Sequence, residues 1–169
     1  MLSPLRTWSA RRARDNARVR VTAKADYAVR ATVELAAAGG GPLKRDALAT
    51  AQDIPAGFLE NILLDLRQAD VIRSQRGPDG GFWLARPAGE ITVADVVRAV
   101  EGPLASVRGA RPGELSFHGT ARPLEELWVA LRASLRSVLE AVTLADLAAG
   151  ELPEDVAALA RDPDAWAAH

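Results

Sequence analysis

The 169 residues include 21 Lys and Arg against 22 Asp and Glu, a net charge of -1, so attraction to a polyanion must come from a local patch and not from the whole surface. A composition 49% hydrophobic and 25% charged is that of a globular chain, and the absence of cysteine excludes disulfides, thiol switches and thiolate-held metals or clusters. No apolar run approaches the roughly 18 residues of a membrane span or a secretory core, so no membrane association and a cytoplasmic compartment are expected.

In chain order, residues 1–18 form a basic extension with Arg6, Arg11, Arg12, Arg14 and Arg18 and no apolar face. A DNA-touching arm and a stretch outside the natural product, which would then start at Val19, fit that composition about equally and better than a targeting peptide, which is usually also serine-rich. Thr22 to Ala38 reads as a helix capped by Thr22, with an inner stripe of Ala28, Ala31, Leu35 and Ala38, and Gly39 to Gly41 followed by Pro42 stop it.

The organising stretch runs from Pro42 to Arg86. Lys44 to Gln52 is a short helix turning Leu43, Ala47 and Leu48 inward, and Gln52-Asp53-Ile54 is a turn of the length that sets two helices at a wide angle. The next helix begins near Pro55; Phe58, Leu59, Ile62, Leu63 and Leu66 recur at helical spacing, while Glu60, Asn61, Asp65 and Arg67 make its polar face. Val71 to Gln75 and Phe82 to Ala85 then flank the glycine-rich Gly77 to Gly81, which predicts a hairpin. Helix, turn, helix and basic hairpin in this order are those of a winged helix-turn-helix, although plain core packing also yields paired helices.

Past a connector at Pro87 to Glu90, Thr92-Val93-Ala94-Asp95 resembles a capping box and starts a helix, Val93 to Glu101, burying Val96, Val97 and Val100. Val107 to Thr120 lacks periodicity and reads as a loop. A long helix from Pro123 to Ala148 is expected next, because Leu124, Trp128, Leu131, Leu135, Val138 and Val142 alternate spacings of four and three, a seam suited to a second subunit. Burial within one protomer would use the same stripe. A short helix, Glu154 to Leu159, lies in the tail.

No catalytic constellation assembles: His118 and His169 stand alone, and the hairpin glycines do not open a helix as a phosphate cradle would. The basic residues are better placed. Arg73 and Arg76 lie on the hairpin, Lys44 and Arg45 open the helix pair, and Arg30 and Arg67 lie nearby, as phosphate contacts require. Asn61 has the donor and acceptor that bond adenine, Glu60 can accept from cytosine, and Phe58 can pack on a thymine methyl.

The segments AKADYAVRATVELA, FLENILLDLRQADVI, SQRGPDGGFWLARP and EITVADVVRAVEGPL resemble the Rrf-two type bacterial transcription regulators from about Arg20 to Leu104, and more loosely over the long helix. The resemblance implies a mainly α fold, a three-helix core with a β-hairpin wing and a long C-terminal dimerisation helix, and a homodimer on partly palindromic double-stranded DNA, mostly as a repressor. By position it implies a DNA-contacting set of Tyr27, Gly57, Phe58, Glu60, Asn61, Arg76 and Gly77, to which the wing charge of Arg73 adds, with Arg76 entering the minor groove. Cluster-binding members carry three cysteines in the segment corresponding to Val107 to Thr120; this chain has none there. Pro55, Ala56 and Gly57 replace residues that are usually polar, often serine, which implies a different or weaker operator code; Asp79 replaces a usual glycine at the wing tip and puts a negative charge near phosphate, and Trp83 stands where the family often has a basic residue.

The sequence therefore predicts a winged domain over 19–104, a cysteine-free loop over 105–121, a dimerisation helix over 122–149 and a tail over 150–169. The expected function is a homodimeric, cofactor-free DNA-binding regulator of transcription with an unknown small-molecule or protein effector. A winged-helix interaction module acting on a partner protein, and a small-ligand sensor with a pocket between the long helix and the winged domain, are the competing readings.

Overall fold

A computed structural model describes residues 21–167; the basic extension, Val19 and His169 lie outside the described residues. The first helix, α1 (Ala23–Ala37), is capped by Thr22, whose hydroxyl accepts from the Ala25 amide at 3.1 Å. Its small residues Ala25, Ala28 and Ala31 are buried with Leu35, which lets neighbouring helices approach closely. Thr32 is buried on the same helix, and its hydroxyl donates to the carbonyls of Ala28 and Val29.

Helices α2 (Arg45–Gln52) and α3 (Ala56–Gln68) follow, joined through Asp53 in the left-handed region at φ 49, a conformation in which aspartate is among the better-tolerated residues. Only one face of α3 is used inside the protein: Leu59, Ile62, Leu63 and Leu66 are buried, each contributing about 1.5–3 kcal/mol of apolar burial. Phe58 falls outside that stripe at 55% exposure, and Ala47 of α2 is exposed, with Leu48 the buried residue of that helix. The helical phase carries both side chains past the core edge.

Strands β1 (Ile72–Gln75) and β2 (Gly81–Leu84) pair antiparallel with Ile72 opposite Leu84 and Gln75 opposite Gly81. Leu43 adds a third backbone rung, exchanging hydrogen bonds with Phe82 at 2.9 and 2.8 Å. A Cβ at Gly81 would lie 2.6 Å from the Leu43 carbonyl oxygen, so the close approach of this strand to the start of α2 requires glycine. The wing is thereby rooted in the helix pair.

Helix α4 (Val93–Glu101) carries the expected capping box: Thr92 accepts from the Asp95 amide and Asp95 from the Thr92 amide. Ala94, Val96 and Val100 are buried and Val97 half-buried against α1.

The expected long helix is broken. Helix α5 runs only from Leu124 to Leu139, and after a turn α6 spans Leu144–Ala149. The break has a backbone cause: Val93 donates to Val142 and Leu144 donates to Ile91, both at 2.9 Å, so 142–144 pairs with 91–93 and leaves the helix. Thr143 and Asp146 then form a second capping box that starts α6, which packs on α1 and buries Leu144 completely. Val142, expected on the seam, is 5% exposed inside the protomer and unavailable to a partner. Helix α7 (Glu154–Arg161) follows.

Candidate DNA-binding surface

The outward face of α3 borders the wing, where Glu60, Asn61 and Arg67 share a groove with Phe82. Gly57, Phe58, Glu60 and Asn61 are all exposed, and a Cβ at Gly57 would meet nothing within 4 Å. Glycine is therefore not demanded there by internal packing. Phe58 meets Tyr27 of α1 edge-on, with ring centroids 6.0 Å apart, and the Arg30 guanidinium lies 5.4 Å over the Tyr27 ring. Arg30 is held in turn by Asp26 at 3.1 Å and by Gln52 at 3.3 Å. The Tyr27–Phe58 contact thus braces the start of α3 against α1, with Arg30 steadying Tyr27 from its own helix, while Phe58 stays exposed.

Alongside, Arg45, Glu60, Asn61, Leu64, Arg67 and Phe82 line a shallow groove between the helix pair and the wing. It combines two guanidinium groups with the base-reading types Glu60 and Asn61 at the rim, an arrangement suited to a polyanion carrying hydrogen-bonding edges.

On the wing, Arg73 sits 3.8 Å from Asp70 and is exposed, while Arg76 is exposed without an ion-pair partner among the described residues. Gly77 has φ 111, a conformation that disfavours a side chain, and it starts the turn through Pro78 and Asp79. Lys44, expected to contact phosphate, has an internal role: its ammonium donates to the carbonyls of Gly77 at 2.8 Å and Pro78 at 2.6 Å. That clamp fixes the wing tip relative to α2. Its sequence separation gives no local pattern by which to foresee it.

The structure thus sets Tyr27 beside Phe58 at the α1–α3 edge, places Glu60 and Asn61 in the groove with Phe82 of the wing, and leaves Gly57 of α3 and Arg73, Arg76 and Gly77 of the wing exposed. The seam residues Leu124, Trp128, Leu131, Leu135 and Val138 belong to another region, on α5, and all are half-buried. In the segment corresponding to the family's cluster ligands, Glu114 and His118 are the only side chains of metal-ligating type, and no thiolate is present. Among the described residues no group of three His, Cys, Asp or Glu side chains is placed to hold a metal ion. The donor set does not fit an iron–sulfur cluster.

Comparison with known proteins agrees with this geometry. The family model described as an iron-dependent transcriptional regulator, Rrf2, matches residues 21–150. A Mycobacterium tuberculosis protein named as an HTH-type transcriptional regulator, Rv1287, is 56% identical over 145 residues, covering 85% of this chain and 90% of the relative. The solved structure of CymR, described as the global cysteine regulator of Bacillus subtilis, is 30% identical with a TM-score of 0.66, covering 79% of this chain and 98% of that one. The T. potens IscR structure is 29% identical with a TM-score of 0.61 over 89% of this chain and 93% of that one. With its winged helix-turn-helix and this match over most of its length, the chain belongs to the Rrf2 family of DNA-binding transcriptional regulators.

Proposed function

We propose that the protein is a homodimeric repressor that binds a partly palindromic operator without an iron–sulfur cluster. Each α3 with its wing would occupy one half-site, Glu60, Asn61 and Phe58 reading base edges from the major groove and Arg76 reaching the minor groove, with Arg73 and Gly77 at the backbone. The single observation that carries the DNA side is the open face of α3, which goes with an exposed Arg76 on the wing that no acidic side chain among the described residues engages. The dimer is supported by α5: none of its residues is buried, and Leu127 and Val129 stand 53% and 48% exposed next to the half-buried seam. An amphipathic helix of this length without its own core is stabilised by covering that face, and an identical subunit supplies a matching one.

Affinity selection of source-genome fragments by metal-free protein, repeated over a salt series, tests this reading. Recovery of a motif with inverted half-sites, with binding that falls as salt rises, is the expected result. Absence of enrichment at every salt concentration would refute cluster-independent operator binding and turn attention to a protein partner.

A further inference from the structure

Away from the DNA-binding face, a cleft of about 270 Å³ opens between the end of α4, the segment after it and α5. This lies just below the roughly 300–1,000 Å³ of drug-sized ligand pockets and suits a smaller ligand. Its walls are Arg98, Gly102, Pro103, Leu104, Arg111 and Arg132. Three guanidinium-bearing side chains from three separate elements therefore meet around an apolar floor.

Their partners are unequal. Arg98 is engaged by Glu140 and lies 3.7 Å from Asp95, so its charge is largely offset; Glu140 is itself shared with Arg136. Arg111 and Arg132 have no carboxylate partner among the described residues, since Glu114 bonds the Arg111 backbone amide and not its guanidinium. The Arg132 Nε is also buried with no hydrogen-bond partner. A buried donor on a charged group is costly to leave unsatisfied, and natural structures rarely do so.

We propose that this cleft binds a small oxyanion, a carboxylate or phosphate group, held by Arg132 and Arg111 with Arg98 at the side. A planar guanidinium presents paired donors that match two oxygens of such a group, which explains arginine at all three places. Pro103 and Leu104 supply an apolar wall for the rest of the ligand. The ligand would bridge α4, part of the winged domain, to α5, the dimer helix. Its role as an effector rests on the DNA-binding reading above; its binding does not.

Calorimetric titration of the full chain with inorganic phosphate and, separately, with succinate tests the site, with sodium chloride at equal ionic strength as the control. Saturable heat with phosphate, succinate or both, and none with chloride, is expected. Arg132→Gln should weaken that binding by about tenfold or more, the loss of one charge-assisted contact, and Arg111→Gln in the same direction. Circular dichroism melts show whether these variants fold, and Arg132→Lys, which keeps the charge but not the fork, should restore only part of the affinity. No saturable heat with either anion, or unchanged binding in folded Arg132→Gln, overturns the proposal. Operator binding measured in chloride alone separates the two readings: its loss with anion binding intact would count against the DNA assignment and leave the cleft standing.

Discussion

Helices α3 and α5 are close in length and similarly amphipathic, yet the protein treats them in opposite ways. Four apolar residues of α3 are buried in the domain core, while α5 buries none of its 16 residues. Helix α3 is held from behind, so its front, with Glu60 and Asn61 beside Phe58, can remain open. Helix α5 leans on the turn at Pro112–Glu114 and lightly on α4, and Leu127 and Val129 remain exposed among the described residues. The contrast fits the proposed roles: a reading helix needs a fixed orientation before it meets DNA, whereas a dimerisation helix can take its support from the partner.

The largest effect should separate the two helices through their leucines. Leu59→Ala, at a fully buried site of α3, is expected to cost about 2–5 kcal/mol of stability in urea unfolding. Leu131→Ala on α5 should cost the isolated protomer much less and show itself in subunit association; equal losses, independent of protein concentration, would erase the contrast. Next in size, Arg76→Ala should weaken operator binding by about 1–3 kcal/mol, read by fluorescence anisotropy, with the melting temperature unchanged. An unaltered affinity would remove the wing from the interface.

A smaller effect sharpens the point at the start of α3. Because a Cβ at Gly57 meets no atom within 4 Å, Gly57→Ala should raise stability through the helix preference of alanine, by less than the roughly 0.5–1 kcal/mol of a helix interior because Gly57 lies in the first turn of α3. If that glycine lies against the DNA backbone, operator affinity should fall at the same time. Stability and affinity rising together would place Gly57 away from the DNA.

The smallest effect concerns what tethers α5. Hydrogen bonds from Arg136 and then Arg98 lower the Glu140 carboxyl to about 2 from its ordinary 4.5. A lowered carboxylate stabilises the folded state above its ordinary value and loses that contribution as pH falls. The difference in unfolding midpoint between the wild type and Glu140→Gln should therefore be full at neutral pH and shrink between about 4.5 and about 2. Asp146, lowered by its bonds from Thr143, adds a trend of the same sign at the start of α6. A difference that stayed constant down to the acid end would mean that the carboxylate does not secure α5.

Much of the winged domain was legible because its signals are local. Thr22 and Thr92 cap as their positions suggest, the apolar stripe of α3 repeats at helical spacing, and the wing glycines stand between two strand-like runs. The break between α5 and α6 was not, since Val138 and Val142 continue the seam's spacing of four straight through it. The missed signal was chemical: Thr143-Leu144-Ala145-Asp146 repeats the pattern of Thr92-Val93-Ala94-Asp95, and both start helices with capping boxes. The Lys44 clamp on the wing and the cleft of Arg98, Arg111 and Arg132 join residues far apart in sequence, so only the tertiary fold brings them into view.

The most direct test of a paired DNA reader joined through α5 is the mass of the complex on a selected palindromic duplex, measured by sedimentation equilibrium for wild type and Leu131→Glu. Two wild-type chains per duplex, against a variant that is monomeric in solution and binds the same duplex more weakly, is the predicted result. A wild-type complex of one chain per duplex, or a Leu131→Glu dimer of unchanged affinity, would contradict it.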